Sequence, residues 1–271
     1  MSFEKEYQLR NFKSSAGIAE TLLYFMEKKT TRLNKFISET GYCSRREADR
    51  LILEGKVKIN GNIPELGTQV NEEDVVSIND TIISVQKEFV YLAFHKPPGI
   101  ICTTETNVKD NIIDYVNYPK RIFPIGRLDR ASEGLIFLTN DGDIVNKILR
   151  AGNNHEKEYI VTVDRPITAK FISEMSNGIP ILDTETKKCK VEKTDKHEFK
   201  IILTQGLNRQ IRRMCDYLDF RVQRLVRTRI MNITLENLET GSLRDLDPSE
   251  MKIINELISD SSKTEEASKL D

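Results

Sequence analysis

The chain has 271 residues, 38% of them apolar and 31% charged, enough for a sizeable core and more than one typical domain requires. Its longest apolar runs, such as 90–94, are too short to cross a bilayer, and Glu4, Lys5, Glu6 and Arg10 stand where a secretory signal needs apolar residues; a cytoplasmic protein with no membrane contact is expected. Cys43, Cys102, Cys189 and Cys215 form no C-x-x-C pair and His95, His155 and His197 lack ligand spacing, which argues against a metal centre, while the net charge of −1 hides +5 across 205–229 and −5 across 239–271.

Residues 1–30 read as a polar N-terminal extension with one amphipathic piece, 18–26, of short-helix character. From Thr31 a small unit begins. Leu33, Phe36 and Ile37 fall at helical spacing, Gly41 stops the helix, and Ser44 with Glu47 forms a capping-box pattern for a second helix carrying Ala48, Leu51 and Ile52. Val57, Ile59 and the Asn60-Gly61 pair predict a strand entering a tight hairpin, so residues 31–80 form an αα-plus-β domain. Its cations Arg32, Lys35, Arg45, Arg46, Arg50, Lys56 and Lys58 lie in the helical half, and its hairpin end is acidic. A charge run of this kind is more often a solvated face than a binding surface.

Residues 79–87 are a linker or edge strand, and a second domain, 89–255, opens with the apolar strand before Pro97-Pro98-Gly99. Further strands are predicted at 157–163, 199–204 and 222–230, with a helix over 209–218. Short strands and few helices without regular βα alternation imply an α+β fold with a mainly antiparallel mixed sheet. The Ser/Lys/Glu-rich tail, 256–271, is expected to be disordered.

The stretch G-R-L-D-R, 126–130, sets Asp129 between Arg127 and Arg130, just ahead of the apolar run 135–138. Alone, an aspartate flanked by arginines is a solvated ion pair worth at most about 1 kcal/mol. Here Gly126 allows a tight backbone, Leu128 can anchor the loop inward, and the strand behind supplies a rigid base for a carboxylate projecting into a cleft. Glycoside hydrolysis usually needs two carboxylates, and no second acid stands in a comparable setting. With no phosphate-cradling glycine loop and no His-assisted nucleophile, the remaining chemistry is a single carboxylate with cationic and aromatic helpers.

Two sets of motifs carry a resemblance. The run L-N-K-F-I-S-E-T-G-Y-C-S-R-R-E-A-D-R-L-I-L-E-G-K-V-K-I-N-G resembles the S4 RNA-binding domain. P-I-G-R-L-D-R-A-S-E-G-L-I-F-L-T-N-D-G-D, then H-E-K-E-Y-I-V-T-V and Q-G-L-N-R-Q-I-R-R-M-C, resemble in order the motif blocks of pseudouridine synthases of the RsuA/RluF type. That resemblance implies a cofactor-free isomerase whose substrate is large-subunit (23S) ribosomal RNA and, for F-type members, a tyrosine tRNA anticodon uridine, the chain acting as a monomer. It also implies Asp129 as the catalytic aspartate, Tyr159 stacking on the target base and Arg227 pairing with the acid. Arg229 is second choice to Arg227, on the expectation that the two alternate along a strand and only one faces the cleft. Arg127 would assist base flipping, Arg130, Arg209, Arg212 and Arg213 would grip the RNA backbone, and Arg32, Lys35, Arg45, Arg46 and Arg50 would face RNA from the small domain. The competing readings are a non-catalytic S4-containing RNA-binding factor and a glycosidase that frees uracil.

Overall fold

The computed structural model describes residues 30–85, 88–149, 154–259 and 261, so the helix expected at 18–26 lies outside the described residues, as does most of the expected tail. The chain divides into two compact units between residues 87 and 88. No helix among the described residues is long and apolar enough to cross a membrane.

The first unit runs β1 (Thr31–Arg32), α1 (Leu33–Glu39), α2 (Arg45–Leu53), β2 (Val57–Ile59), β3 (Gln69–Val70), β4 (Val76–Ile78) and β5 (Thr81–Ile83). Leu33 and Ile37 on α1 and Ala48, Leu51 and Ile52 on α2 bury one stripe from each helix against Val57, Val70, Val76 and Ile78. Ser44 caps α2, its Oγ accepting the Glu47 backbone N–H at 3.1 Å. The Glu47 carboxylate accepts from Arg50 Nε instead (3.0 Å), leaving the second half of the expected capping box unmade. Asn60 and Gly61 do turn with positive φ, 50° and 83°, as a two-residue hairpin turn requires. Only an Ile59–Asn62 bridge forms across them, however, and β2 pairs antiparallel with β4. The apolar alternation that can cover the core resumes only at Val76 and Ile78. Residues 81–83 are an edge strand on β4.

The second unit runs β6 (Tyr91–Lys96), α3 (Ile112–Val116), β7 (Phe123–Ile125), β8 (Glu133–Thr139), α4 (Gly142–Leu149), β9 (Lys157–Val163), α5 (Ala169–Asn177), β10 (Pro180–Ile181), β11 (Thr184–Glu185), β12 (Lys190–Asp195), β13 (Glu198–Leu203), α6 (Gln210–Tyr217), β14 (Val222–Ile230), β15 (Ile233–Thr234), β16 (Leu243–Asp245) and α7 (Pro248–Leu257). One nine-stranded sheet has the order β12-β13-β9-β14-β8-β6-β16, with β15 on β14 and β7 on β8. Every pairing is antiparallel except β14 with β8.

Side-chain alternation divides the core between the two faces of this sheet. Leu92, Phe94, Ile136, Leu138, Tyr159 and Val161 point to one side, joined by Ile211 and Met214 of α6. Ala93, Leu135, Phe137 and Ile230 point to the other, covered by Ile144 and Ile148 of α4 and by Ile254 and Ile258. The last pair corrects the tail expected from residue 256. The helix runs to Leu257, and Ile258 is buried because it falls four residues after Ile254 on the same face.

The parallel junction depends on a glycine. Arg227 of β14 lies opposite Gly134 of β8, whose φ is +111°, and a Cβ there would sit 2.3 Å from the Arg227 carbonyl oxygen. Only a residue without a side chain allows the two backbones to approach so closely.

Candidate active site

The G-R-L-D-R loop sits immediately before β8 and is tied down from three sides. Leu128 is buried in the core beside Cys102, whose Sγ accepts the Leu128 N–H at 3.4 Å. Gly126, at φ +77°, passes so close to Leu149 that a Cβ would lie 2.9 Å from its Cδ2. Arg130 and Gly99 exchange two bonds, Gly99 N to Arg130 O at 2.7 Å and Arg130 Nε to Gly99 O at 3.0 Å, which zip this loop to the Pro97-Pro98-Gly99 turn. The Ser132 N–H closes back on the Asp129 carbonyl at 3.0 Å, fixing the turn that carries the carboxylate.

Asp129 projects into a cleft that opens to solvent. The Tyr159 ring, Leu203, Leu207, Ile211 and Leu225 form its apolar walls, and Arg127, Arg209 and Arg212 its cationic side. Arg212 Nε reaches Asp129 Oδ2 at 3.3 Å, its second terminal nitrogen reaches Ser132 Oγ at 3.0 Å, and the remaining one lies 3.5 Å from the Val222 carbonyl. With its side chain 12% exposed and three anchors, Arg212 is a fixed cation; Arg209, 51% exposed and 3.8 Å from the same carboxylate oxygen, is a looser one. Among the described residues Asp129 is the only acid in the cleft lining, because Glu133 turns away to pair with Arg224.

Several sequence expectations require correction here. Arg227, expected on the acid, is buried with Nε donating to the Leu135 carbonyl at 2.6 Å, and its second terminal nitrogen has no partner. It makes no ion pair with Asp129 among the described residues, and Arg212, expected to grip RNA, takes that place. The two arginines of β14 do face opposite ways, though not by simple alternation, since residues two apart on a strand share a face. A register shift between Arg227 and Arg229 sets Arg227 opposite Tyr159 and Arg229 opposite Glu158. Arg229 accordingly binds Glu156 at 2.9 Å. Arg130 pairs with Asp110 at 2.8 Å and Arg213 donates to Asn208, so each already has a partner within the fold. Arg127 is exposed at the cleft.

In the first unit Lys35 pairs with Glu39, and Arg50 with Glu47 and Glu54. Arg32, Arg45 and Arg46 are exposed.

Two lysines escaped the sequence reading. Lys96 is fully buried, its Nζ donating to the carbonyls of Pro97 (2.8 Å) and Ile100 (2.9 Å), and burial holds its pKa below the usual lysine range. Lys157 donates to the His155 carbonyl at 3.2 Å, and burial, followed by the nearby Arg227, pushes its pKa down to about 8. Period-two alternation would have found both: Lys96 follows Leu92 and Phe94, and Lys157 precedes Tyr159 and Val161, on inward positions. Among the described residues no cluster of three or more His, Cys, Asp or Glu is placed to hold a metal ion.

The arrangement offers one carboxylate oriented by a guanidinium beside an aromatic wall, in a cleft open to solvent. Comparison with known proteins agrees with this chemistry. Residues 90–217 match the family model for RNA pseudouridylate synthase, and residues 31–76 that for the S4 domain. The chain is 57% identical to the dual-specificity RNA pseudouridine synthase RluF of Salmonella typhi and 56% to that of Escherichia coli strain K12, over 86% of its length and 81% of theirs. It is 34% identical to the ribosomal large subunit pseudouridine synthase B of Bacillus subtilis, over 83% of this chain and 96% of the relative. A crystal structure of a pseudouridylate synthase superposes with a TM-score of 0.61 at 31% identity, covering 82% of this chain and 99% of that one.

Proposed function

The chain belongs to the S4-bearing RNA pseudouridine synthases and forms pseudouridine in RNA, and from that premise we propose that it acts on large-subunit ribosomal RNA through the Asp129 cleft. The observation that carries this reading is the Asp129 carboxylate, held by Arg212 in a cleft walled by Tyr159. A uridine inside folded RNA must leave its stack before its glycosidic bond can be reached, at a cost of a few kcal/mol. Exposed Arg127 at the cleft is positioned to occupy the vacated place or meet the phosphate.

Once the nucleotide is seated, the N1–C1′ bond breaks, uracil turns within the cleft, C5 bonds to C1′, the C5 proton is released and N1 takes up a proton. Asp129 acts on the nucleotide as nucleophile or base, Arg212 orients it, and Tyr159 stacks on the base and serves as proton acceptor. No group leaves the nucleotide and no redox change occurs, so the reaction needs no cofactor. A lone acid in the cleft lining also favours isomerisation over glycoside hydrolysis.

The name dual-specificity carried by the RluF relatives supports a second RNA substrate, for which an anticodon uridine of a tyrosine tRNA is the proposal. Asp129→Asn tests the site. Tritium release from C5-labelled uridine in ribosomal RNA should disappear while filter retention of the RNA persists; undiminished release would overturn the assignment. A protein that only binds RNA would release no tritium in either form.

A further inference from the structure

We propose that Gln205 reads the base, its Nε2 donating a hydrogen bond to the O4 carbonyl of the uracil lodged in the cleft. This rests on the reading that the Asp129 cleft is the active site. Gln205 follows β13 and is 8% exposed, with its side chain in the cleft wall. Its Oε1 accepts the backbone N–H of Lys187 at 3.1 Å and the Gln210 amide Nε2 at 3.4 Å.

A backbone N–H can only donate, so the Gln205 amide cannot be turned end for end without leaving the Lys187 N–H unpaired. Gln210 is locked by the same logic, because its Oε1 accepts the Leu207 backbone N–H at 3.0 Å. Two backbone donors therefore fix both amides, and the Gln205 acceptor is fully used within the fold. Its Nε2, by contrast, has no hydrogen-bond partner among the described residues. Nor is that nitrogen among the sealed, unpartnered buried atoms, and the residue that carries it lines the cleft.

A nearly buried amide in the cleft wall, with its acceptor spent and its donor unpartnered, calls for an acceptor on the ligand. Uracil offers a carbonyl at C4, where cytosine carries an amino group that would meet this donor head on. The fixed amide thereby selects the pyrimidine that the reaction requires, and rejection of the wrong base comes from the unpaired polar group left behind.

The test uses a stem–loop RNA that the protein modifies, synthesised with uridine, 4-thiouridine or 2-thiouridine at the modified position. Sulfur is a poor acceptor, so the wild-type protein should lose kcat/KM by about 10-fold on the 4-thio substrate and far less on the 2-thio one. Gln205→Glu keeps the acceptor for the Lys187 N–H, and with it the fold, while removing the donor; Gln205→Met removes both. Each variant should lose roughly 10- to 100-fold on uridine, and the 4-thio penalty should vanish in both. A loss on uridine with the 4-thio penalty intact would mean a structural role and would overturn the proposal, as would variants within about twofold of wild type. An Asp129→Asn protein that stays active sinks the active-site reading; a dead Asp129→Asn with indifferent Gln205 variants sinks this inference alone.

Discussion

Arg212 and Arg50 both hold a carboxylate, yet the two regions use that pairing to opposite ends. Arg50 pairs within one helix with Glu47 and Glu54, and its side chain is 63% exposed. Water competes for every partner there, and such pairs contribute about 0.3–0.5 kcal/mol. Arg212 reaches across 83 residues of sequence to Asp129, is 12% exposed and is held at two further points. The lesson is that charge spacing along the chain reveals local pairs, while a pair such as Asp129 with Arg212 is made only when the fold brings a loop and a distant helix together.

The comparison is broken most severely by Arg212→Met. Losing the guanidinium frees Asp129 to leave its working position, and a misplacement of about 1 Å can cost on the order of 100-fold in rate. Tritium release under single-turnover conditions should fall by about that factor with little change in RNA retention. Arg212→Lys should not restore it, because an ammonium cannot meet Asp129, Ser132 and the Val222 carbonyl in one plane. Arg227→Met provides the contrast: its nearest bonded partner is the Leu135 carbonyl, so the expected loss falls on stability. A larger rate effect from Arg227 than from Arg212 would return the acid's partner to β14.

These two arginines also show what was legible in the sequence. Strand bounds at 157–163 and 222–230 follow from apolar alternation and agree with β9 and β14 residue for residue. Which way Arg227 points does not follow, because the register shift beside it reverses the alternation and depends on pairing with a strand some 70 residues earlier. The Asn60-Gly61 turn was readable from two residue types; its failure to start a long hairpin was not, since that depends on where the next apolar pair lies. The Asp129 loop was conspicuous, while its anchoring by Gly99 and Arg212 is tertiary.

A second difference between the regions is the company their cations keep. The first unit holds Lys35, Arg50, Lys56 and Lys58 against acids, whereas the second buries Lys96, Lys157 and Arg227 on carbonyl oxygens. Lys157 makes this measurable. Its pKa is pushed down to about 8 from 10.5, so between those values the unfolded chain binds more protons than the folded one. Stability from this group therefore rises with pH through that window, and the cost of burying the charge is fully present below it. Lys157→Met should flatten the stability profile between about pH 8 and pH 9.5 by on the order of 2 kcal/mol in urea unfolding, and raise stability near neutrality. A profile as steep as wild type would show that Lys157 is hydrated.

The smallest effects belong to the first unit, where stability and binding should separate. Arg50→Gln removes pairs that water already weakens, so its unfolding midpoint should move by less than the equivalent of about 0.5 kcal/mol. Arg45 and Arg46 stand exposed at the start of α2, and their loss should leave folding intact while weakening RNA retention. Each phosphate contact releases condensed counterions, so replacing both with Gln should make the slope of log affinity against log salt shallower by about 1.4–1.8. Catalysis on RNA already bound should not change, because these cations act before the nucleotide is seated. If the double variant keeps the wild-type slope, the first unit's basic face is only a solvated surface and RNA is gripped by the cleft's own arginines.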